Sequence, residues 1–499
     1  MSLKRSPWIH QLPSRAPFSS FEKSFDADVV VVGAGIAGVS TAYFLLTQTS
    51  RSVVVLEASM IAHGATGHNA GQAVRYFERS FTDMIEEFGA DAVAEGQRLV
   101  DDAFLDLERI VHDEQLSVRL SVVTGYAGLQ DRATIERMAS DILVQKRLGL
   151  ETEELLLAKG VASLRGLPRE IHDLATWLPK KDLLSLLGTT NSAYIGALAG
   201  KKGCLNSALF TEDLFHMLLK KYPQRLKIFE QSPVSRVSIH SRRIELEVGK
   251  KKIRARDAVL CTNGFEHFSL QDGNGDVLNR WFHRTVRGSI GYMAGYLEER
   301  SASPAIVSFL PPYKESSNVQ ETDPYMYVTR RPYEYSPGAH ANLVCVGGPE
   351  RILDNTASYK REHAYPIAAS RQISSFLQET WRRSGRRKGF DFLWHGLMGY
   401  TPNGVRLVGP DIEHPHLWYN LGCNGVGILT SVMGGKRIAL QMRGDHLAPS
   451  MFDVVHERGL QKLHIGQRIF AYTLFVFGLV LGLGLGGFLS LELLGINGI

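Results

Sequence analysis

A glycine-rich turn near the N-terminus has the residue types and spacing of a dinucleotide-binding site. In DADVVVVGAGIAGVSTAYFLL, which begins at Asp26, the glycines Gly33, Gly35 and Gly38 form a G-x-G-x-x-G pattern. Glycines at these positions let the backbone approach a pyrophosphate at the N-terminus of a helix. Glu57 ends the next valine-rich run, where an acidic side chain can accept hydrogen bonds from a ribose. The alternative is a purely structural turn between a strand and a helix.

The elements that must position these residues are predicted by the surrounding pattern. The β-branched run at 29–32 predicts a strand buried on both faces, and 37–46 has helical spacing without a breaker. Near the other end, 422–427 is a glycine-dense turn and 428–442 predicts a second helix. The free N–H groups and positive dipole end of that helix would face the preceding loop. A helix start packed under the sheet is the alternative.

The loop after Glu57 indicates what kind of dinucleotide is bound. It reads ASMIAHGATGHNAGQAV from Ala58, and its many small residues would let the backbone pass close to a flat, bulky group. NAD-binding domains do not require such a loop. The sequence therefore favours a cofactor with a large planar ring.

With these motifs in place, the sequence resembles the FAD-dependent oxidoreductases of the D-amino-acid oxidase superfamily, which includes glycine and sarcosine oxidases, D-amino-acid dehydrogenases and gamma-glutamylputrescine oxidases. The loop GATGHNAGQ is similar to the family's G-A-S-G-R-N-G-G-Q signature. RARDAVLCTNG, VCVGGPE and WHGLMGYTPNGVRLVGP follow in the family's order, and the resemblance spans about residues 26 to 445. Asn403 stands where the family often has Asp, which still suits a turn.

The resemblance implies a set of residues that bind FAD or line its site. They are Gly33, Gly35, Ile36, Gly38, Glu57, Ala58, Gly67, His68, Asn69, Ala70, Gly71, Gln72, Val234, Asn263, Gly264, Gly425, Val426 and Gly427. His68 stands where many relatives have Arg, and in related dehydrogenases a histidine in this register is joined covalently to FAD. Covalent attachment, noncovalent contact and an incidental surface position all remain open for His68.

The sequence gives less information about the substrate site than about the cofactor site. Oxidation of a carbon–nitrogen bond by a flavin depends mainly on orientation, so no nucleophile or paired carboxylate is required, and no catalytic residue is assigned. Arg287 and Arg330 are candidates for binding a substrate carboxylate, because Arg presents a planar bidentate fork. Tyr325 and Tyr327 alternate on a predicted strand and would share one face. For each of these four residues, a surface or packing role is the alternative.

The two ends of the chain differ from the middle. Residues 1–25 predict a flexible arm, and 446–468 a linker. The uncharged stretch 469–491 would span about 34 Å as a helix and predicts a C-terminal transmembrane anchor. More basic residues precede this stretch than follow it, which places the catalytic part in the cytoplasm. A helix packed on the globular body is the alternative.

Composition excludes several other classes of protein. The net charge of +5 over 499 residues is too weak for a dedicated nucleic-acid binder. The four cysteines form no Cys-x-x-Cys pair, so neither a zinc site nor a disulfide scaffold is indicated, and no metal is predicted.

We therefore expect an α/β protein with a Rossmann-type FAD-binding domain, a discontinuous α+β substrate domain and a C-terminal transmembrane helix. The FAD domain would comprise 26–77, 198–270 and 390–445, and the substrate domain 78–197 and 271–389. The expected function is FAD-dependent oxidation of an amine or amino acid at a membrane, with quinone or O2 as electron acceptor. The alternatives are a dehydrogenase of a hydroxyl-bearing substrate and a flavin-binding assembly factor of a membrane complex.

Overall fold

The computed structural model describes residues 6–19, 21, 24–265, 267–278, 286–298, 303–312, 325–336, 339–353, 358–381 and 389–454. Residues Met1–Asp453 form one compact unit, and Val454 begins a second, of which only Val454 is described. The predicted anchor at 469–491 lies outside the described residues. Among the helices that are described, none is long and apolar enough to cross a membrane.

The elements of this unit are numbered in chain order. The helices are α1 Pro7–His10, α2 Ile36–Gln48, α3 Phe81–Phe88, α4 Ala90–Asp113, α5 Arg132–Arg147, α6 Arg169–Leu174, α7 Lys180–Leu186, α8 Ser207–Lys221, α9 Ile367–Glu379 and α10 Gly427–Arg443. The strands are β1 Phe25–Val32, β2 Val53–Leu56, β3 Gln72–Ala73, β4 Ser121–Leu129, β5 Glu154–Ala158, β6 Thr176–Leu178, β7 Gly196–Cys204, β8 Leu226–Phe229, β9 Val234–Ile239, β10 Ile244–Val248, β11 Lys251–Leu260, β12 Ser269–Asp272, β13 Arg287–Glu298, β14 Ala305–Phe309, β15 Met326–Ser336, β16 Ala339–Leu353, β17 Phe392–Tyr400, β18 Leu407–Pro410 and β19 Leu417–Leu421.

The first sheet is built around parallel strands that bury valine and leucine on both faces. Its described order is β12-β9-β10-β11-β1-β2-β8, and β19 also pairs with β11. Strand β1 is parallel to both β2 and β11, with Val32 opposite Leu56 and Leu260. The carboxyl ends of these strands therefore open at the same edge, which is where ligands bind in open α/β sheets.

Helices α2 and α10 pack closely together beside this sheet. Gly435 of α10 faces the backbone of α2, and a Cβ there would lie 2.6 Å from the carbonyl carbon of Ser40. A larger residue would separate the helices, so the glycine permits the close approach. Both helices begin at the open edge of the sheet, as the sequence predicted, within a residue or two of the expected bounds.

The second sheet is mostly antiparallel and forms the other wall of the ligand site. Its described order is β17-β13-β16-β15-β14-β4-β7-β5-β6, with β3 paired to β7. Strands β7 and β17 belong to this sheet, whereas the sequence-based boundaries assigned 198–204 and 392–400 to the FAD domain. The reason is that strand pairing between residues far apart in the chain decides which sheet a strand joins, and no local pattern records it.

Within the predicted flexible arm of residues 1–25, the described residues 6–19 include a short helix and a buried side chain. Helix α1 begins at Pro7 with Ser6 as its N-cap, and the side chain of Trp8 is fully buried. Further along, the Arg15 guanidinium forms a bidentate ion pair with Glu230, with both N–O distances 2.8 Å. Buried aromatic surface and a paired guanidinium offset the entropy of ordering this segment.

Candidate functional site

A cavity of about 760 Å³ lies at the open edge of the first sheet and reaches the second sheet. Its volume falls in the usual range for small-molecule and cofactor sites. Among the residues that the structure describes, no group of His, Cys, Asp and Glu could hold a metal ion.

The glycine turn between β1 and α2 forms one end of the cavity. Gly33 has a φ of +103°, and a Cβ there would lie 2.7 Å from the carbonyl oxygen of Cys261. Both the positive φ and the neighbouring strand therefore exclude a larger residue. At Gly38 a Cβ would collide with the carbonyl of Gly33, which explains why the turn can pack against its own helix only with glycine. The turn leaves the start of α2 open to the cavity.

Glu57 lies beside this turn, at the end of β2. Its carboxylate accepts hydrogen bonds from the backbone N–H of Ala34 at 2.8 Å and of Ser59 at 2.9 Å. Burial raises its pKa, an effect that the two N–H donors partly oppose. These contacts fix the carboxylate orientation, and its remaining lone pairs are available to the hydroxyl groups of a ribose.

The loop after Glu57 is fixed by its own side chains. The Asn69 amide nitrogen donates to the carbonyl of Thr66 and contacts the Ser207 hydroxyl, both at 3.0 Å. The Asn69 side-chain oxygen accepts from the backbone N–H of Gly71 at 2.8 Å. The Gln72 amide donates to Thr329 of β15 at 2.7 Å, which ties the loop to the second sheet. The loop therefore presents a defined surface to the cavity.

His68 lines the cavity as a neutral imidazole. Burial and the nearby Arg361 lower its pKa to about 3. Its Nδ1 lies 2.9 Å from the carbonyl oxygen of Gly64, which can only accept, so Nδ1 carries the proton and Nε2 keeps its lone pair. The free Nε2 suits either a hydrogen bond from a cofactor or a covalent bond to it.

The N-terminus of α10 forms another wall. Gly425, Val426 and Gly427 all line the cavity, and Val426 provides no side-chain cap for the helix. Asn424 instead uses its side-chain oxygen to accept from the backbone N–H of Thr401 at 2.8 Å. The uncapped end with its positive partial charge would stabilise negative charge on a bound ring.

A buried acid lies next to this helix end. The Glu78 carboxyl group accepts a hydrogen bond from the Tyr325 hydroxyl at 3.0 Å, and the Tyr325 hydroxyl lies 3.2 Å from that of Tyr76. A Cβ on Gly425 would lie 3.1 Å from a Glu78 oxygen, so the acid sits over the start of α10. Burial raises the pKa of Glu78 to about 7, against the opposing effect of the Tyr325 bond.

A second acid faces the same part of the cavity. Glu350 of β16 accepts a hydrogen bond from the Ser289 hydroxyl at 2.9 Å, and burial raises its pKa. Its charge also raises the pKa of Glu78. The Tyr327 hydroxyl, which contacts the sulfur of Met293 at 3.1 Å, completes this wall. We call Glu78, Glu350, Tyr325, Tyr327, Tyr76 and Tyr400 the acid–tyrosine cluster.

Most of the predicted site residues come together around this one cavity. The lining residues among them are Gly33, Gly35, Ile36, Glu57, Ala58, His68, Asn69, Ala70, Gly71, Gln72, Val234, Asn263, Gly425, Val426, Gly427, Arg287, Tyr325 and Tyr327. Gly38 supports the turn from behind, Gly67 packs against Ile9, and Gly264 packs against Val286.

Arg330 does not lie at the cavity, so its predicted role in binding substrate is wrong. Its guanidinium forms an ion pair with Glu298 at 2.5 Å and lies over the Trp381 ring, 5.2 Å from the centroid. On β15, Arg330 is an odd number of residues from Tyr325 and Tyr327, so it points to the opposite face.

Sequence reasoning missed Glu78, Tyr76, Glu350 and Tyr400. Glu78 follows the glycine-rich loop closely, and its position just after a cofactor-contacting segment was a usable signal. Glu350 is the last residue of VCVGGPE, two positions after the second glycine of a segment that resembles a family motif. Tyr76 lies in no motif, and Tyr400 lies in WHGLMGYTPNGVRLVGP without a feature that distinguishes it there from a core residue.

The cavity fits FAD on its own geometry. The glycine turn and Glu57 form a cradle for an adenosine diphosphate, since added side chains would fill it. The small-residue loop and the α10 end would hold the isoalloxazine ring, where the positive helix end favours the reduced, negatively charged form.

Comparison with known proteins agrees with this fit. The model of the DAO family, described as FAD dependent oxidoreductase, matches residues 28–441. The oxidoreductase OrdL of Haemophilus influenzae is 23% identical over 435 residues, which cover 86% of this chain and 85% of OrdL. Gamma-glutamylputrescine oxidoreductase of Escherichia coli is 42% identical over 76 residues, covering 15% of this chain and 18% of that protein.

A solved structure shows the same fold. The L-proline dehydrogenase from P. horikoshii superposes with a TM-score of 0.59 at 16% identity, covering 86% of this chain and 97% of that one. At this level of identity the likeness concerns the fold alone.

Proposed function

This chain belongs to the DAO family of FAD-dependent oxidoreductases, and we propose that it oxidises the carbon–nitrogen bond of an amine. Bound FAD supplies the electron acceptor for a hydride from the carbon next to nitrogen. The resulting imine is hydrolysed by water to a carbonyl compound and ammonia or a smaller amine. The protein must bind the amine, orient its C–H bond and remove a proton from its nitrogen.

The observation that carries this proposal is the buried carboxyl group of Glu78. An amine enters mainly as an ammonium ion at neutral pH, whereas hydride loss requires the neutral nitrogen lone pair. Glu78 has a pKa of about 7 and faces the cavity, so its carboxylate can accept that proton near neutral pH. The Tyr325 hydroxyl, bonded to Glu78, holds the carboxylate in place during the transfer.

The charge of the cluster favours an amine over an anionic substrate. Glu78 and Glu350 face the same part of the cavity, and each has a raised pKa because burial disfavours its charged form. An ammonium ion compensates this buried negative charge, whereas a phosphate or an adjacent carboxylate would be repelled. Hydroxy acids and phosphorylated alcohols are therefore poorer substrates for this site.

Arg287 provides one place in the cavity where a carboxylate group of the substrate could still bind. It lines the cavity two residues along β13 from Ser289, on the same face, so the two Cα atoms are about 7 Å apart. Ser289 in turn binds Glu350. A carboxylate could reach Arg287 only if several bonds separated it from the amine. We therefore favour a plain amine, or an amine with a remote acid group, over an α-amino acid.

The tyrosines would orient the carbon chain of the substrate. The rings of Tyr325 and Tyr327 meet edge to face with centroids 5.9 Å apart, and both line the cavity. Such a wall excludes water from the amine nitrogen and restricts the alkyl chain to one direction. The similarity to the Escherichia coli gamma-glutamylputrescine oxidoreductase supports an amine substrate of this kind.

The proposal is tested by an anaerobic screen in which bleaching of the flavin absorbance is followed. We expect bleaching by alkyl amines and diamines, weaker bleaching by α-amino acids and none by 2-hydroxy acids or glycerol phosphate. Ammonia or amine release in step with bleaching is the matched second readout. Bleaching by hydroxyl compounds alone would reject amine oxidation, and a flavin that no compound reduces would favour a noncatalytic role.

Location at a membrane is part of the same proposal. The uncharged stretch 469–491, preceded by basic residues, supports a single C-terminal anchor with the catalytic part in the cytoplasm. A lipid-soluble quinone would then be a more accessible electron acceptor than O2. Fractionation of cells that express the full chain and a chain ending at 454 tests the location. Equal recovery of both chains in the soluble fraction would reject it.

A further inference from the structure

A buried arginine lines the cavity without a carboxylate partner. Arg406, just before β18, is 4% exposed, and within the described part of the chain no Asp or Glu lies within ion-pair distance of it. Its Nε donates to the side-chain oxygen of Asn420 at 2.6 Å, and its Nη2 donates to the carbonyl of the same residue at 2.9 Å. These two bonds orient the guanidinium but leave its charge uncompensated.

The position of Arg406 is defined by what Asn420 contacts. The Asn420 amide donates to the Thr41 hydroxyl of α2 at 3.1 Å and to the carbonyl of Ser431 in α10 at 3.2 Å. Asn420 therefore contacts the second turn of each of the two helices that begin at the cavity, and Arg406 lies next to Asn420. Neither helix has a side-chain cap from its N-cap residue.

The Arg406 guanidinium therefore adds a full positive charge to a region that lies within two turns of the N-terminal ends of α2 and α10. A buried charge without a partner is strongly unfavourable, and burial lowers the pKa of Arg406 to about 10. Because Arg406 is buried and lines the cavity, the missing partner is expected to be an anion that binds there.

We propose that Arg406 is the counter-ion of the FAD diphosphate. The diphosphate is the anionic part of the cofactor, and the glycine turn that it would approach begins beside Cys261, whose thiol Arg406 influences electrostatically. The free Nη1 of Arg406 is the donor available to a phosphate oxygen. A substrate anion is a poorer candidate, because the substrate end of the cavity carries Glu78 and Glu350. This inference depends on FAD binding and not on the nature of the substrate.

The rival position for the anion is the pyrimidine edge of the reduced ring, which would also be near the start of α10. The two positions predict different measurements. A diphosphate counter-ion governs the affinity for FAD and for ADP. A partner of the ring governs the midpoint potential of the bound flavin and leaves ADP affinity unchanged.

The test uses the full chain stripped of FAD, with Arg406→Met, Arg406→Lys and the control Arg437→Met. Arg437 is also buried, but it pairs with Asp453 and does not line the cavity. We expect Arg406→Met to weaken binding of FAD and of ADP about 10- to 100-fold, with adenosine binding unchanged. Arg406→Lys keeps the charge but not the fork, so its loss should be smaller.

Each other outcome overturns the inference. Unchanged FAD and ADP affinity in Arg406→Met would show that the diphosphate does not depend on this charge. An altered midpoint potential with unchanged affinity would assign Arg406 to the ring. Equal weakening of adenosine, ADP and FAD would indicate a general distortion of the site. If Arg406→Met does not fold, the test rests on the ratio of ADP affinity to adenosine affinity in Arg406→Lys. A ratio equal to that of the normal protein rejects the proposal. Arg437→Met should lower stability while leaving that ratio unchanged.

Discussion

The indole nitrogen of Trp8 donates a hydrogen bond to the backbone carbonyl of Asn69 at 2.5 Å. This bond joins the N-terminal segment to the loop that would carry the flavin. On the other side of the Trp8 ring, the Arg331 guanidinium lies 4.3 Å from the ring centroid. A Cβ on Gly71 would lie 3.1 Å from the ring. Trp8 therefore supports the cofactor loop from behind and connects it to the second sheet.

Replacing Trp8 by Ala should loosen both the fold and the cofactor. Loss of a buried Trp costs about 3–5 kcal/mol of unfolding free energy, and the loop would lose its support. We expect a lower Tm and faster release of FAD, followed by the rise in free-flavin fluorescence. Trp177→Ala, at the far edge of the second sheet, is the control. It should leave the rate of FAD release unchanged, and equal release rates in the two variants would contradict a role for Trp8.

Replacing Glu78 by Gln should remove the rise in the rate of flavin reduction that we expect between acidic and neutral pH. Burial and the charge of Glu350 raise the pKa of Glu78 to about 7, against the opposing effect of the Tyr325 hydrogen bond. Below pH 7 the carboxyl is protonated and cannot accept a proton, so flavin reduction by an amine should accelerate as the pH rises through 7. Glu78→Gln should be at least about 100-fold slower at pH 8 and should lack this rise. A variant that keeps the same rise would show that another group accepts the proton.

Tyr325→Phe should move this rise in the rate of flavin reduction to higher pH. The Tyr325 hydroxyl stabilises the Glu78 carboxylate, so its removal raises the pKa of Glu78 further. One such bond corresponds to about 0.5–1 pH unit. The midpoint of anaerobic flavin reduction against pH measures the shift, and Tyr126→Phe, on β4 and away from the cavity, is the control. A shift to lower pH would be inconsistent with the hydrogen bond described here.

Gly38→Ala should disrupt the glycine turn more than the addition of a single methyl group suggests. The added Cβ would collide with the carbonyl of Gly33, and that obstacle is backbone that does not rotate away. We expect a loss of about 1–3 kcal/mol in unfolding free energy and a lower FAD content after purification. Gly389→Ala, where no atom lies within 4 Å of the added Cβ, should change neither measurement. Normal FAD content in Gly38→Ala would contradict the packing argument.

Acid denaturation should release all the FAD. The Nδ1–H of His68 donates to the Gly64 carbonyl and the ring is neutral, so Nε2 can accept a hydrogen bond from the cofactor without a covalent bond. After precipitation in acid, the yellow colour should therefore appear in the supernatant. Colour that stays in the pellet of the normal protein, and not in that of His68→Ala, would instead establish covalent attachment at this residue.

The sequence predicted the parts of the site whose geometry is local. The turn from β1 to α2 and the start of α10 depend on glycines and neighbouring residues within a few positions of each other, and both were located correctly. The regular alternation of a strand likewise grouped Tyr325 with Tyr327 on one wall. The same two-residue period places Arg330 on the opposite face of the strand, which argues against its predicted role in binding substrate.

Contacts between distant segments could not be predicted in this way. Glu78 and Tyr325 are 247 residues apart, and neither belongs to a motif that names the other. Trp8 is buried by residues that lie far along the chain. The local sequence, a Ser- and Pro-rich segment with a single Trp, therefore predicts a flexible arm. Only the pairing of strands in the second sheet brings these groups together.

The cavity wall runs from Val32 to Ser431, and this order of the chain has a consequence for biosynthesis. A ribosome delivers β1 and α2 hundreds of residues before it delivers Arg406 and α10. A nascent chain therefore cannot enclose FAD until translation has passed Ser431. Until then α2 lacks α10, the helix that packs against it, and the apolar surface between them stays exposed to aggregation.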